Sequence, residues 1–322
     1  MSDEKSLQRE WITAQIAQRG LKLTGEIEDV QITPSATVLS VMTDSGKVYF
    51  KAPMPAFAFE APLTAKLAEW FPVDLPVVLG MDAARGWLLL RDAGVRVRDL
   101  IRADGDGSRW DEYLRRYVAL QQATASRVDE LLALGVPDRR LKKLPRLYDA
   151  LLLDTAILLV GQKYGVSDAQ FAELQGYLST LQTLCDQLAT YNIPQTLHHD
   201  DFHTGNTMVQ ANTPTFIDWG ESCIAHPFYS LVIVLRDAKF TLKQDQATLD
   251  HLTDVYLRCW IAYEPMERLK EAFVVAAQLA ALCRTLTWYR VVSNLPEDAR
   301  TEYADAVPYW LVTFLKNTPF EA

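Results

Sequence analysis

Apolar spacing changes twice within the first ninety residues. Leu7, Trp11, Ile12 and Ile16 recur at helical intervals over residues 5–19, and Gly20 follows as a stop, which predicts a helix. From Leu21 to Lys51 the period is that of strands. Thr37–Met42 is β-branched and apolar, Thr43–Lys47 has turn composition, and Val48–Lys51 makes the second arm of a hairpin that ends in a lysine. Residues 58–71 return to helical spacing through Phe59, Leu63, Leu67 and Trp70, with Glu60 near the start. Two short strands follow at Val77–Gly80 and Trp87–Leu90. After Arg91-Asp92-Ala93-Gly94 the pattern is helical: Trp110, Leu114, Tyr117, Val118 and Leu120 mark one helix. Phe171, Leu174, Leu178, Leu181, Cys185 and Leu188 mark another, capped by Ser167-Asp168. Segments near 227–239, 247–262, 266–292 and 299–316 complete a mostly helical second half. The expected architecture is α+β and bilobal. A small β-rich front domain spans residues 1–92, its sheet running over about 21–90, and a larger helical domain spans 93–322.

The chain has 322 residues, 41 acidic against 32 basic, for a formal charge of −9. No Lys/Arg-rich run appears, so a nucleic-acid partner is not expected. Four dispersed cysteines without a CxxC pair argue against a thiolate zinc site and a disulfide framework. The start lacks a basic-then-apolar leader, and the apolar run Leu151–Val160 is short and contains Asp154, so a cytoplasmic protein with no membrane partner is expected. No pattern specifies an oligomeric state.

One polar island interrupts the helices. It reads Leu197-His198-His199-Asp200-Asp201-Phe202-His203-Thr204-Gly205-Asn206-Thr207-Met208-Val209, followed by Thr215-Phe216-Ile217-Asp218-Trp219-Gly220. Ordering such residues costs free energy unless they are paired or used. Met208-Val209 and Phe216-Ile217 read as hairpin arms around 210–214. That hairpin sets Asn206 and Asp218 side by side at its open end, with Asp201 in the loop before it. Two carboxylates and an amide oxygen are hard donors of the kind that hold Mg²⁺ against phosphate.

The spacing His199-x-Asp201-x-x-x-x-Asn206, then Asp218 after an apolar strand, matches the catalytic loop and metal strand of protein-kinase-like phosphotransferases. In detail, His199-Asp200-Asp201-Phe202-His203-Thr204-Gly205-Asn206 resembles the His-Gly-Asp-Leu-His-x-x-Asn signature of the aminoglycoside phosphotransferase and choline kinase family. Ile217-Asp218-Trp219 resembles that family's metal motif. Val48-Tyr49-Phe50-Lys51, Glu60 nine residues on, and the segment from Trp87 to Gly94 extend the resemblance to the front domain, over roughly residues 30–235. The resemblance implies a protein-kinase-like fold with ATP and Mg²⁺ between the lobes and a small hydroxylated acceptor, aminoglycoside-like or an amino alcohol. It assigns Asp201 to the acceptor's proton, Asn206 and Asp218 to the metal, and Lys51, oriented by Glu60, to the phosphates. The backbone of Arg91 and Ala93 goes to adenine and Ser35 to the nucleotide-covering loop. His199 and His203 brace the catalytic loop.

Three departures from the family pattern stand out. Asp200 takes the place of the loop glycine, where it either raises the proton affinity of Asp201 or faces solvent. The front loop Ile32–Thr37 has no glycine. Ser230 stands where the family carries an aspartate. The Ser230 departure bears on a structural contact, not on the chemistry; Asp200 and the glycine-free front loop keep a catalytically silent, kinase-shaped binding protein as the alternative. A histidine-based metal hydrolase is a third reading, although no zinc-hydrolase spacing is present. Trp260, Tyr263, Trp288, Tyr289, Tyr309 and Trp310 are expected mostly as helical core.

Overall fold

A computed structural model describes residues 2–321, in two compact units: Met1–Val97 with Gly205–Gly220, and Arg98–Thr204 with Glu221–Ala322. The secondary structure is of the α+β class.

In the first unit, helix α1 (Ser2–Gln18) precedes strands β1 (Glu28–Ile32), β2 (Ala36–Thr43) and β3 (Gly46–Pro53). Helix α2 (Glu60–Trp70), β4 (Val78–Asp82), β5 (Trp87–Arg91) and β6 (Val95–Arg96) follow. The antiparallel sheet runs β1-β2-β3-β5-β4. Alternation places Val48, Phe50 and Ala52 of β3 in the core with Ile12 and Ile16 of α1. Trp11, Phe50 and Trp87 meet pairwise with centroids 5.6–5.7 Å apart, a spacing at which aromatic rings attract beyond their burial. Leu7, assigned to the apolar stripe by its spacing, is half exposed; the core stripe narrows to Trp11, Ile12 and Ile16.

Strands β8 (Thr207–Gln210) and β9 (Thr213–Phe216) also belong to this unit, as a hairpin flanked by β6. The predicted loop 210–214 is tighter than expected. Ala211 and Asn212 both adopt positive φ, giving a two-residue turn, and Pro214 sits in register with Val209.

The second unit carries helices α3 (Val97–Asp104), α4 (Arg109–Thr124), α5 (Val128–Ala133), α6 (Leu144–Leu152), α7 (Asp168–Gly176), α8 (Leu178–Ala189), α9 (Tyr229–Arg236), α10 (Gln246–Arg258), α11 (Met266–Asn294), α12 (Glu297–Arg300) and α13 (Ala306–Lys316). A two-stranded ribbon joins β7 (Thr196–His198) to β10 (Cys223–Ala225). The helix predicted through Phe171–Leu188 divides after Gly176, although Ser167 caps it as expected, with Gln170 completing a capping box. The 299–316 segment divides likewise into α12, a 3₁₀ turn and α13. Helix α11 is the one described helix long and apolar enough to cross a membrane, and 78% of its apolar window is buried inside the protein. Trp260 and Trp310 are core, as expected, whereas Tyr263, Trp288, Tyr289 and Tyr309 are partly or well exposed.

Candidate active site

In the first unit, the lysine that ends the predicted hairpin lies opposite Leu88 of β5. Its neighbours Phe50 and Ala52 face the core, so pleating turns Lys51 to the other face of the sheet. There its Nζ donates 2.6 Å bonds to Glu60 Oε1 and to Asp218 Oδ1. Glu60 is the first residue of α2 and is buried, whereas Asp218 is half exposed. Glu69, the rival carboxylate on the same helix, is exposed and pairs only with Lys66 at 2.8 Å. Burial alone would lower the proton affinity of Lys51, but the charges of Asp218 and Glu60 raise it above the ordinary lysine range. Burial pushes the Glu60 carboxyl up against the pull of Lys51.

Asp218 is held by the hairpin's end. Ile217 N–H donates to the Asn206 carbonyl at 3.0 Å, and the buried Trp219 indole donates to the Phe216 carbonyl at 3.0 Å. Asp218 itself has φ +67°, a left-handed conformation that aspartate tolerates at a cost. Gly220 follows where a Cβ would stand 2.9 Å from Glu60 Oε2, so a larger residue there would push this carboxylate aside. Asn206 and Asp218 thus share the open end of one hairpin, as the spacing predicted.

The segment after β5 is a tight turn. Arg91 N–H donates to the Val77 carbonyl and is used within the sheet, Asp92 N–H donates to Lys47, and Asp92 Oδ1 accepts from Gly94 N–H. Gly94 is required: at φ +99° its Cβ would fall 2.2 Å from the Val209 carbonyl oxygen. Ala93 is the partly buried centre of this turn. Ser35 lies elsewhere in the unit. Its hydroxyl meets that of Thr33 at 3.0 Å, and it lines a cavity of about 630 Å³ walled also by Leu7, Met54 and Trp87; Lys51, Glu60 and Asp218 are absent from that wall.

In the second unit, the loop after β7 is built around two consecutive carboxylates with opposite surroundings. Asp200 is buried, at φ +59°, and accepts from His198 Nε2 at 2.9 Å, from Arg139 at 3.2 Å and from the Thr287 hydroxyl. The expectation that Asp200 faces solvent or raises Asp201 is therefore corrected. Burial would raise its proton affinity, but the bond to His198 and the charges of His198, Arg284 and Arg139 overcome it. His198, protonated, donates its other nitrogen to Ser230 Oγ at 2.7 Å, and Ser230 also bonds Tyr117 OH at 2.8 Å. Ser230 is thus a neutral partner in a buried network whose carboxylate is Asp200. Tyr117 of α4 stacks on Phe202 with centroids 3.7 Å apart and accepts the His199 amide N–H, so α4 fixes the backbone at the buried His199.

Asp201 is a quarter exposed. Its Oδ1 accepts from Arg284 Nη2 at 3.0 Å, and Oδ2 lies 3.3 Å from His203 Nε2. Burial would raise its proton affinity, but the Arg284 charge and the His203 bond hold it well below the ordinary carboxylate range. His203 is raised in turn, because its bond to Asp201 outweighs burial. Thr204 ends the loop with its N–H on Asp237 at 2.9 Å, and Arg98 pairs with the same carboxylate at 3.0 Å.

Reading by motif missed Arg139, Arg284 and Glu221. A signal existed for Arg284, a lone cation in the apolar run of α11; Arg139 had none. The three histidines of the island take separate partners. His198 instead lies near Cys223 and Cys283, but the buried Arg139 guanidinium is 3.9 and 3.8 Å from those sulfurs and His198 is itself protonated, a place hostile to a metal cation.

Residues 47–269 match the sequence profile of the phosphotransferase enzyme family. The chain belongs to that family. Its class is that of small-molecule kinases, which phosphorylate hydroxyl groups. No curated protein sequence matches the chain. Solved structures with the same kinase-like fold include a macrolide 2'-phosphotransferase type I (14% identity, TM-score 0.58, covering 94% of this chain and 96% of its own). A choline/ethanolamine kinase family protein from Mesorhizobium loti shares 17% identity at a TM-score of 0.60, with 99% and 97% covered. An amicoumacin kinase in complex with AMP-PNP, Ca²⁺ and Ami shares 12% at 0.55, with 99% and 97% covered. At these identities the likeness is one of fold.

Proposed function

We propose that this family member transfers the γ-phosphoryl group of ATP, with Mg²⁺, to a hydroxyl of a small molecule such as an aminoglycoside-like compound or an amino alcohol. The observation that carries the reading is the double ion pair of Lys51 with Glu60 and Asp218, both at 2.6 Å. A lysine with one buried and one half-exposed carboxylate is oriented by the first and able to exchange the second for a phosphate oxygen. Asn206 and Asp218 are hard oxygen donors at one hairpin end, a set that fits Mg²⁺. Bound there, the cation would offset charge on the nucleotide phosphates.

The chain's own residues would do the rest. Asp201, held ionised, orients the acceptor hydroxyl and takes its proton. The Arg91 carbonyl and Ala93 amide would receive the adenine edge, and Ser35 would act through the loop that covers the nucleotide. His199 and His203 keep the catalytic loop in place. A nucleotide substrate goes with a cytoplasmic location.

The test is a melting-shift titration with Mg-ATP, followed by an ATP-consumption screen over choline, ethanolamine, kanamycin, a macrolide, amino alcohols and sugars. The expected result is Mg-dependent stabilisation and turnover with at least one acceptor. Asp201→Ala should abolish turnover and keep the nucleotide shift, and Asp218→Ala should lose the Mg-dependent shift. A wild-type protein that ignores Mg-ATP would establish the silent binding protein instead.

A further inference from the structure

Four groups converge on the Arg284 side chain in the helical unit. Nη2 donates to Asp201 Oδ1 at 3.0 Å, while Nη1 donates to the Asp200 carbonyl at 2.7 Å and to a Glu221 carboxylate oxygen. The guanidinium also lies over the Trp288 ring, 5.6 Å from its centroid. The side chain is itself nine-tenths buried, in the middle of the long helix α11. One turn later on the same face, Thr287 bonds Asp200. Helix α11 therefore grips both consecutive carboxylate residues of the loop, and Arg284 alone holds side chain and backbone at once.

We infer that Arg284 is the positioning residue of the phosphoryl-transfer step: it fixes the Asp201 carboxylate in one orientation relative to the loop backbone. The inference rests on the phosphotransferase reading, in which Asp201 meets the acceptor hydroxyl. Three features separate it from a merely structural ion pair. Asp201 is a quarter exposed, so water can solvate it, and no burial requirement explains a nearly sealed cation beside it. The planar fork spends one nitrogen on Asp201 and the other on the loop's own carbonyl, which removes rotation of the loop as well as of the side chain. Glu221 shares the same guanidinium, so Arg284 is anchored on a second carboxylate and holds Asp201 against a fixed support, not through a lone mobile pair. A loose transition state depends on such placement more than on a strong base, and misplacement by about 1 Å costs on the order of 100-fold.

The experiment compares Arg284→Gln, Arg284→Lys and Asp201→Asn with wild type, using Mg-ATP and the best acceptor from the screen, with rates normalised to folded protein. The expected result for Arg284→Gln is a kcat lowered about 30- to 100-fold with the KM for ATP changed less than about threefold. Arg284→Lys, which restores the charge without the fork, should recover about tenfold of that loss. A normalised kcat within about threefold of wild type in Arg284→Gln overturns the inference, as does a loss that appears only in melting temperature. If Arg284→Gln does not fold, Arg284→Lys decides alone: a lowered kcat at unchanged KM supports the role, and an unchanged kcat rejects it. Asp201→Asn keeps the two readings apart. Turnover retained in that variant removes Asp201 from the reaction and the positioning role of Arg284 with it, whereas a wild-type protein without turnover on any acceptor rejects the phosphotransfer assignment itself. An inactive Asp201→Asn beside an unaffected Arg284→Gln removes the positioning role only.

Discussion

Two charged clusters in this protein follow opposite rules. Around Lys51 a flexible point charge meets one buried and one half-exposed carboxylate, so half of its pairing is open to water. Around Arg139 a planar cation, a carboxylate and a protonated histidine are all sealed, and each is held by neutral hydroxyls from Thr287 and Ser230. The first arrangement leaves a cation able to exchange a partner for a ligand. The second makes a rigid support, since a buried ionic group tolerates no missing partner. Pairing alone therefore does not distinguish the two clusters; the exposure of one partner does.

Arg139→Met leaves the buried Asp200 carboxylate bonded to only one cationic side chain, His198, and should cost about 3–5 kcal/mol of stability; denaturant unfolding measures it, and a loss under about 1 kcal/mol would show the cluster to be ordinary. Glu60→Gln should act the other way, with a stability cost of about 1–2 kcal/mol but Mg-ATP affinity weakened about tenfold by calorimetry, because Lys51 loses its orienting charge. Equal stability losses for the two variants would erase the distinction.

A smaller effect concerns His198 in the Arg139 cluster. Burial would lower His198, but its bond to Asp200 raises it to about 9. Its folded value lies above the unfolded one near 6.5, so its stabilisation is complete below about 6.5 and is lost as pH climbs through about 9. Melting temperature should fall across that window in wild type, and Asp200→Asn should flatten the slope. The smallest effect is the control: Glu69→Gln breaks only an exposed pair with Lys66 and should change stability by less than about 0.5 kcal/mol, with nucleotide binding unchanged.

Much of the fold was legible because local chemistry decided it. Alternation in Val48–Lys51, the helical period around Leu63 and Leu67, and the N-cap at Ser167 each formed where expected. Errors fell where two local signals were nearly balanced. The stripe from Phe171 to Leu188 reads as continuous, yet Gly176 weakens it, Tyr177 N–H turns back to the Leu174 carbonyl, and a second helix starts at Leu178. In the candidate site, the partnership of Lys51, Glu60 and Asp218 followed from spacing and resemblance. Asp200 did not, because its surroundings come from residues 61 and 87 positions away, Arg139 and Thr287.

By itself, then, the order of residues determined the elements, the hairpin that pairs Asn206 with Asp218, and the family motif, since each depends on neighbours within a few turns of chain. Only the tertiary structure decided which carboxylate is sealed and which is exposed, and that a cation from α11 reaches Asp201. Burial and charge compensation are set by whatever the folded chain brings alongside, and no spacing along the sequence encodes that distance.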